Sequence, residues 1–235
     1  MNKLIDLIQS FNYLVAFTGA GMDTESNLPD FRGPDGLWKK KDPRTIASTE
    51  ALRYNYELFY EFYAHRLRTL HQVKPHRGHE ILADLERRGI LKSIITQNVS
   101  GLHQDAGSKV VYELHGNLKR IRCEYCKKEA SEEDFFHKKR CSCRGRLRPD
   151  VVLFGESLPH ETMQNALSEL ERADGLLIMG TSLEVQPAAS LPFISSMKRI
   201  YIDLQAEDHP LIDLTYKESI GSFLEELHDH LIKHP

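Results

Sequence analysis

Short apolar runs alternate with amphipathic stretches along most of this chain. Each run is four or five residues long and is flanked by Gly, Asn, Asp or Pro, which is typical of buried strands in a parallel sheet. The stretches between them have apolar residues at helical spacing. This alternation predicts an α/β protein built on a Rossmann-like, doubly wound parallel sheet. The predicted strands are residues 13–17, 93–96, 110–114, 151–154, 176–179 and 200–203, and the clearest predicted helices are residues 1–11, 76–88 and 161–173.

Two segments interrupt this alternation. Residues 48–72 are aromatic-rich and helical in pattern without a neighbouring strand, and residues 123–143 contain all four cysteines. We therefore expect a single domain over residues 1–235 with a large and a small lobe. The large, Rossmann-like lobe is predicted from residues 1–33, 76–119 and 149–235, and the small lobe from a helical insertion at residues 34–75 and a cysteine module at residues 120–148.

The four cysteines are grouped in two close pairs. Cys123 and Cys126 form a C-x-x-C pair, and Cys141 and Cys143 follow as C-x-C after fourteen intervening residues. This grouping is typical of a tetrahedral zinc site with four thiolate ligands. A disulfide is disfavoured because nothing in the sequence indicates secretion, and a redox C-x-x-C would leave the second pair unexplained. We predict one structural Zn²⁺ that stabilises the small lobe and takes no direct part in chemistry.

Composition and charge exclude several classes of function. The chain is 40% hydrophobic and 28% charged, and its formal net charge of −3 gives no electrostatic case for nucleic-acid binding. No apolar run has the length of a membrane span, and residues 1–11 lack the features of a signal peptide. We expect a cytoplasmic protein that binds neither nucleic acid nor membranes. A local basic cluster is expected to be a solvated surface, although it could attract an acidic protein substrate: Lys138, Lys139, Arg140, Arg144, Arg146 and Arg148.

Small and polar residues follow several of the predicted strands. Gly19-Ala20-Gly21 follows the first one, where small residues let backbone N–H groups approach a phosphate, although a plain tight turn explains three such residues equally well. Thr24 occupies the place of the third glycine in the dinucleotide-binding fingerprint. Gly180-Thr181-Ser182 forms a second candidate phosphate turn, and Asp203 ends the last predicted strand, where a carboxylate could accept both hydroxyls of an adenosine ribose.

One histidine is placed where catalysis is expected. His115 ends an apolar run, at the edge where open α/β sheets bind their ligands, and an imidazole there can serve as general base for a hydroxyl. Gln97 and Asn98 follow the preceding strand and offer amides suited to a ribose or a carboxamide.

Taken in order, these motifs resemble the signatures of the sirtuins, the NAD-dependent protein deacylases. They run from G-A-G and P-D-F-R through T-Q-N, L-H-G, the paired cysteines and R-P-D-V-V-L-F-G-E to G-T-S-L-x-V-x-P-A-A. The resemblance implies a sirtuin catalytic domain that transfers the acyl group of an acylated lysine, in a protein or peptide, to the ADP-ribose part of NAD. Nicotinamide and O-acyl-ADP-ribose would be released. We expect it to act as a monomer.

The resemblance also assigns roles to individual residues. His115 is the implied general base, and Asn98 is catalytic with it. The acyl-lysine peptide would add as an extended strand along Val152, Phe154, Gly155 and Glu156. NAD would be bound by Gly19, Ala20, Gly21, Asp30, Phe31, Arg32, Gln97, Asn98, Ser100, His115, Gly180, Thr181, Ser182, Asp203, Leu204 and Ser219.

A further pair concerns which acyl group is removed. Tyr63 and Arg66 are three residues apart in a helical pattern and therefore project from one face of the helix. A core tyrosine beside a surface arginine would have the same spacing. Sirtuins that remove succinyl and malonyl groups carry this Tyr-x-x-Arg at the floor of the acyl pocket. The resemblance thus implies a desuccinylase and demalonylase that also deacetylates.

Four positions depart from the usual sirtuin pattern: Asp23, Asn27, Ser100 and Asp203. A carboxylate at Asp23 would repel a pyrophosphate unless it points away, and Ser100 lacks the carboxylate associated with the nicotinamide pocket. These departures keep two alternatives open. One is NAD cleavage without acyl transfer, by an NAD glycohydrolase or a mono-ADP-ribosyltransferase. The other is a non-catalytic NAD or ADP-ribose sensor, which the presence of His115 disfavours.

Overall fold

Nine strands form two sheets in the structure, a computed structural model that describes residues 2–30 and 42–233. In the larger sheet all neighbouring strands are parallel, in the order β3-β2-β1-β7-β8-β9. The smaller sheet is antiparallel, in the order β5-β4-β6. The strands are β1 (Leu14–Thr18), β2 (Leu91–Thr96), β3 (Val111–Glu113), β4 (Gly116–Cys123), β5 (Glu129–Ala130), β6 (Leu147–Val151), β7 (Gly175–Met179), β8 (Lys198–Ile202) and β9 (Leu214–Tyr216).

Helices connect these strands and surround the sheets. Among the described residues, no helix is both long enough and apolar enough to cross a membrane. The helices are α1 (Asn2–Ser10), α2 (Gly21–Thr24), α3 (Pro43–Ile46), α4 (Thr49–Tyr54), α5 (Tyr56–Leu70), α6 (Arg77–Arg87), α7 (Leu102–Asp105), α8 (Glu132–Phe136), α9 (His160–Arg172), α10 (Ile220–Lys233) and one 3₁₀ helix (Ala188–Phe193).

The strand order confirms the predicted doubly wound sheet. From β1 the chain moves outward to β2 and β3, returns to β7 beside β1, and then moves outward in the other direction. The order therefore reverses between β1 and β7, and ligands of open α/β sheets bind in the crevice outside the carboxyl ends of the strands at such a point.

Strand β1 divides the core of the large lobe into two layers. Its side chains alternate between the faces, so Leu14 and Ala16 join the cluster formed with α1, α6 and α10, whereas Val15 and Phe17 join the cluster formed with α9. All five residues of the strand are buried. Both faces of the sheet are covered by helices, as parallel sheets require.

The small lobe has its own hydrophobic core. Aromatic and aliphatic residues on one side of α5 pack against the antiparallel sheet and α8. Ser48 is the N-cap of α4, because its Oγ accepts the backbone N–H of Ala51 at 3.0 Å. The main members of this core are Phe59, Tyr63, Leu67, Leu118, Ile121, Phe135 and Leu147.

The prediction of a buried parallel strand at residues 151–154 was wrong. Val151 is the last residue of β6 and pairs antiparallel with Gly116, and the chain then leaves the sheet. Val151 and Leu153 are buried where the chain passes between the lobes, whereas Phe154 is exposed, and hydrophobicity alone does not distinguish such a segment from a buried strand. Strand β9 was not predicted, since Leu214-Thr215-Tyr216 is a half-buried edge strand without an apolar run.

Candidate active site

A cleft of about 1140 Å³ opens at the carboxyl ends of β1, β2 and β7 and extends to the small lobe. It gathers most of the residues predicted from the sequence, although they come from eight separate parts of the chain. Phe31 and Arg32 lie outside the described residues. The predicted residues that line the cleft are Ala20, Gly21, Asp30, Tyr63, Arg66, Gln97, Asn98, His115, Val152, Phe154, Gly155, Glu156, Gly180, Thr181, Ser182, Asp203, Leu204 and Ser219.

Two predicted cofactor residues lie beside the cleft rather than in its wall. Gly19 packs against the turn that follows β7, where a Cβ atom would come within 2.6 Å of the Cβ of Thr181. Ser100 is buried, and its Oγ accepts the N–H of Leu102, the first residue of α7, at 3.3 Å. The glycine therefore permits the close approach of the two turns, and the serine fixes the loop after β2.

The turn after β1 has fewer amides available for a phosphate than its sequence suggests. The N–H groups of Gly19, Gly21 and Met22 already donate to the carbonyl oxygens of Met179 (3.0 Å), Gly180 (2.8 Å) and Gly19 (2.9 Å). Within the described part of the turn, the N–H of Ala20 has no backbone acceptor. A phosphate at this turn would therefore be bound by that amide together with hydroxyl groups of the facing turn.

Asp23 points away from the cleft. It is 7% exposed, and its Oδ1 lies 3.2 Å from Nε2 of the buried His79. The ring of His79 lies 4.8 Å from that of His103. The carboxylate that could have repelled a pyrophosphate is thus directed into a buried histidine cluster. Asn27 is also explained, because its φ of 62° lies in the left-handed region that Gly and Asn tolerate best.

Asn98 is oriented by a buried network of hydroxyl groups. Thr18 Oγ1 donates to Thr96 Oγ1 at 2.8 Å, and Thr96 Oγ1 accepts the N–H of Asn98 at 3.0 Å. The side-chain NH₂ of Asn98 donates to the carbonyl of Gly19 at 2.9 Å, so its side-chain oxygen is the group left for a ligand.

His103 completes this network. Its Nε2 lies 3.0 Å from Thr18 Oγ1, whose own proton is directed to Thr96, so the histidine is the donor. Burial holds the pKa of His103 well below its usual range, and nearby His79 and His76 lower it further. His103 is therefore neutral, and it anchors the loop that carries Asn98.

His115 is oriented by its main-chain neighbours. Its Nδ1 lies 2.9 Å from the carbonyl oxygen of Gln97, and its own carbonyl accepts the N–H of Val152 at 2.8 Å. Because a carbonyl can only accept, Nδ1 carries the proton in the neutral ring and Nε2 carries the lone pair. That arrangement suits a general base.

The four cysteine sulfurs converge in the small lobe. They lie within 4.8 Å of one another, with Cys123 and Cys143 3.4 Å apart and Cys126 and Cys141 3.5 Å apart. Four thiolates at about 2.3 Å from a central Zn²⁺ would have sulfur–sulfur distances of about 3.8 Å in a tetrahedron. The cluster therefore fits one tetrahedral zinc ion.

Comparison with known proteins agrees with this geometry. The model of the Sir2 family matches residues 19–187. An NAD-dependent protein deacetylase of Oceanobacillus iheyensis is 44% identical over 229 residues, which cover 94% of this chain and 97% of that protein. An NAD-dependent protein deacylase of Archaeoglobus fulgidus is 40% identical over 239 residues, with 98% of each chain covered.

Solved structures show the same relationship. A Sir2 homologue in complex with NAD has a TM-score of 0.91 and 39% identity, covering 99% of this chain and 94% of that one. A Sir2 structure with a deacetylated p53 peptide and 3′-O-acetyl ADP-ribose has a TM-score of 0.91 and 34% identity, with 98% of each chain covered. The chain belongs to the Sir2 family.

This sirtuin is accordingly an NAD-dependent protein deacylase with one four-cysteine zinc site, as the sequence predicted. Its cleft also fits NAD physically. The turn after β1 presents Ala20 at the cleft with Asp23 directed away from it, and Asp203 lies at the end of β8 with an acceptor for hydroxyl groups.

Two residues important to this sirtuin's site were missed or misjudged from the sequence. His103 was not assigned a role, because its hydroxyl partner Thr18 is 85 residues away along the chain. Arg148 was expected on a solvated basic surface, but it is 1% exposed. Its burial follows from its pairing with Glu156, and that pairing cannot be recognised before the fold is known.

Proposed function

We propose that this sirtuin removes succinyl and malonyl groups from lysine side chains of proteins, and acetyl groups less efficiently. The observation that supports this proposal is the position of Tyr63 and Arg66. Both lie on α5 and line the same cleft as His115, so the acyl group of a bound lysine would have a cation and a phenol within reach.

The chemistry of this pair fits a terminal carboxylate. A guanidinium pairs with a carboxylate through two parallel hydrogen bonds, and a phenol adds a third donor. Burial raises the pKa of Tyr63 to about 12, so its hydroxyl keeps its proton at neutral pH. The ring is held in place by Phe59 at 4.6 Å and Phe62 at 5.0 Å. An acetyl group has no carboxylate and would make none of these contacts.

The catalytic roles proposed for this chain follow from the orientation of two side chains. NAD, when bound, would supply the ribose that takes up the acyl group, with nicotinamide as the leaving group. His115 Nε2 would accept a proton from a ribose hydroxyl, because its Nδ1 is already bonded to Gln97. Asn98 would bind the ribose through its side-chain oxygen, since its NH₂ group is bonded to Gly19.

Peptide binding is proposed along residues 152–155, between the two lobes. Val152, Phe154 and Gly155 line the cleft, and Phe154 is 38% exposed. An extended peptide lying alongside this segment would use main-chain hydrogen bonds, so that one site could accept many protein sequences. A monomeric, cytoplasmic enzyme that binds neither nucleic acid nor membranes remains the expectation from the sequence.

The identity of the products tests the proposal. The protein is incubated with NAD and peptides of one sequence that carry succinyl-, malonyl- or acetyl-lysine, and the products are identified by mass. O-succinyl- and O-malonyl-ADP-ribose formed faster than the acetyl product would support it. Free ADP-ribose formed without peptide would indicate a glycohydrolase, and tight NAD binding without turnover would indicate a sensor.

A further inference from the structure

An ion pair between a buried arginine and a half-buried glutamate adjoins the segment that lines the proposed peptide site. Arg148 comes from β6 and is 1% exposed, and Glu156 follows the segment. The two side chains pair through two hydrogen bonds, with Nη1 2.6 Å from Oε1 and Nη2 3.0 Å from Oε2. Two parallel hydrogen bonds define both the distance and the angle between a guanidinium and a carboxylate.

Each side chain of the pair also binds the backbone between them. Glu156 Oε2 accepts the N–H of Leu153 at 2.9 Å. The guanidinium of Arg148 donates to the carbonyl of Val151 and, at 3.1 Å, to that of Pro149. The pair therefore fixes the main chain at both ends of residues 151–156.

The middle of the segment is held by the two lobes. Val152 donates its N–H to the carbonyl of His115 at 2.8 Å. Phe154 donates to Ala47 at 3.0 Å and accepts the N–H of Thr49 at 3.0 Å. These bonds connect the segment to the loop of the proposed base on one side and to the start of α4 on the other. A small shift at either end would thus move the backbone that a peptide would bind.

We infer that Arg148 and Glu156 are positioning residues for the peptide substrate, which act through residues 152–155 without touching the peptide themselves. This inference rests on the proposed function, because it needs the peptide to bind along that segment. The carboxylate of Glu156, which the sequence resemblance implied as a direct peptide contact, is held by Arg148 and by the N–H of Leu153, and this is the basis for assigning it a positioning role instead.

The charge state of the pair agrees with this role. Burial would raise the pKa of Glu156, but the hydrogen bonds and charge of Arg148 outweigh it and hold the pKa below its ordinary value. The carboxyl group is therefore ionised at neutral pH. Loss of its charge would leave the guanidinium of Arg148 buried with only carbonyl partners, a strongly unfavourable arrangement.

The test separates peptide binding from cofactor binding. In Glu156→Gln, the KM for a succinyl-lysine peptide should rise about tenfold, equivalent to about 1.4 kcal/mol, with little change in kcat. The Kd for ADP-ribose and the zinc content should stay at the wild-type level. Arg148→Met should raise the peptide KM in the same way as Glu156→Gln. Arg148→Lys, which keeps the positive charge, should raise the peptide KM less.

A matched control comes from another glutamate that pairs with an arginine. Glu169 on α9 is 8% exposed, accepts the hydroxyl of Tyr13 at 3.0 Å and pairs with Arg172 at 3.5 Å, but it does not line the cleft. Glu169→Gln should lower the melting temperature without raising the peptide KM.

Two results would overturn the inference. One is an unchanged peptide KM in Glu156→Gln, which would leave the deacylase proposal intact. The other is a parallel loss of peptide affinity and ADP-ribose affinity, which would indicate a purely structural pair. If the variants fold poorly, the double variant Arg148→Met/Glu156→Gln removes both charges together and allows the same measurements. Absence of turnover in the wild-type protein would reject the proposed function and the inference with it.

Discussion

Nδ1 of His115 lies 2.9 Å from the carbonyl oxygen of Gln97, and this contact determines which ring nitrogen can act as a base. Gln97 is itself held at the end of β2, because its N–H donates to the carbonyl of Thr18 at 2.9 Å. The orientation of the imidazole is therefore fixed by backbone atoms at the ends of neighbouring strands. Nε2 remains to accept a proton.

Replacement of His115 should abolish acyl transfer without unfolding the protein. A general base contributes roughly 10²–10⁴-fold to rate, so His115→Ala should lower kcat/KM for any acyl-lysine peptide by about that factor. The ring is half-buried at the cleft wall, so the zinc content and the far-UV circular dichroism spectrum should remain those of the wild type. Deacylation close to the wild-type rate would remove His115 from the proposed mechanism.

Loss of one zinc ligand should affect stability and activity together. The purified protein should contain one zinc per chain, because the four cysteine sulfurs form a single cluster. Cys141→Ser should lower both the zinc content and the melting temperature, since binding of a structural zinc contributes directly to folding. Ser142→Ala is the matched control, as it changes the exposed residue between two ligands and should keep the metal. Active wild-type protein with well under one equivalent of zinc would contradict the assignment.

Local pattern was sufficient to predict most of the large sheet, with edge strand β9 as the exception. Strands β1, β2, β7 and β8 are short apolar runs bounded by turn residues, and the helices between them have clear amphipathic spacing. The loops after these strands must meet at one edge, because the carboxyl ends of parallel strands do so. This explains why most predicted site residues line one cleft.

Interactions between distant parts of the chain could not be predicted in this way. The contact between Thr18 and His103 and the pairing of Asp23 with His79 depend on side-chain directions that only the packed fold defines. Arg148 shows the same limit, since a basic residue in a basic stretch was expected on the surface. Charged residues are almost never fully buried unless they are paired, and sequence pattern does not reveal the partner.

Asp203 should strengthen cofactor binding and lower the stability of the folded protein. Burial raises its pKa, the N–H of Gln205 at 2.8 Å opposes that shift, and neighbouring Asp30 raises the pKa further. An acid with a raised folded-state pKa destabilises the fold when ionised, and this effect fades as the pH falls through the folded-state pKa. Asp203→Asn should therefore raise the melting temperature at neutral pH, by less as the pH is lowered.

The same substitution should weaken ADP-ribose binding. Hydrogen bonds to charged groups contribute roughly 1.5–3 kcal/mol, so replacing the carboxylate by an amide should raise the Kd about tenfold. Glu207→Gln removes an equal charge from the same loop at the cleft and serves as the control. If both variants weakened binding equally, the effect would come from the general charge of the cleft, and Asp203 would have no specific contact with the ribose.

Acyl selectivity should depend on Arg66 and Tyr63. Burial lowers the pKa of Arg66, and its interactions with Tyr63 and Asp23 oppose that shift, while a guanidinium in any case stays protonated in proteins. The Cζ atom of Arg66 lies 5.7 Å from the centre of the Phe62 ring, and this ring supports the Arg66 side chain on the cleft wall. Arg66→Met keeps much of the apolar length but removes all hydrogen-bond donors.

The expected result is a change in preference and not a general loss of activity. A charge-assisted pair contributes roughly 1.5–3 kcal/mol, so kcat/KM for a succinyl-lysine peptide should exceed that for the acetyl-lysine peptide by tenfold or more in the wild type. Arg66→Met should remove most of this ratio by lowering desuccinylation while deacetylation persists, and Tyr63→Phe should remove a smaller part. Arg68→Met is the matched control, because Arg68 lies on the same helix over the ring of Phe136 at 5.2 Å and does not line the cleft. Equal efficiency of the wild-type enzyme on the two peptides would show that Tyr63 and Arg66 do not recognise the acyl chain. A wild-type preference that survives Arg66→Met would assign the recognition to other residues.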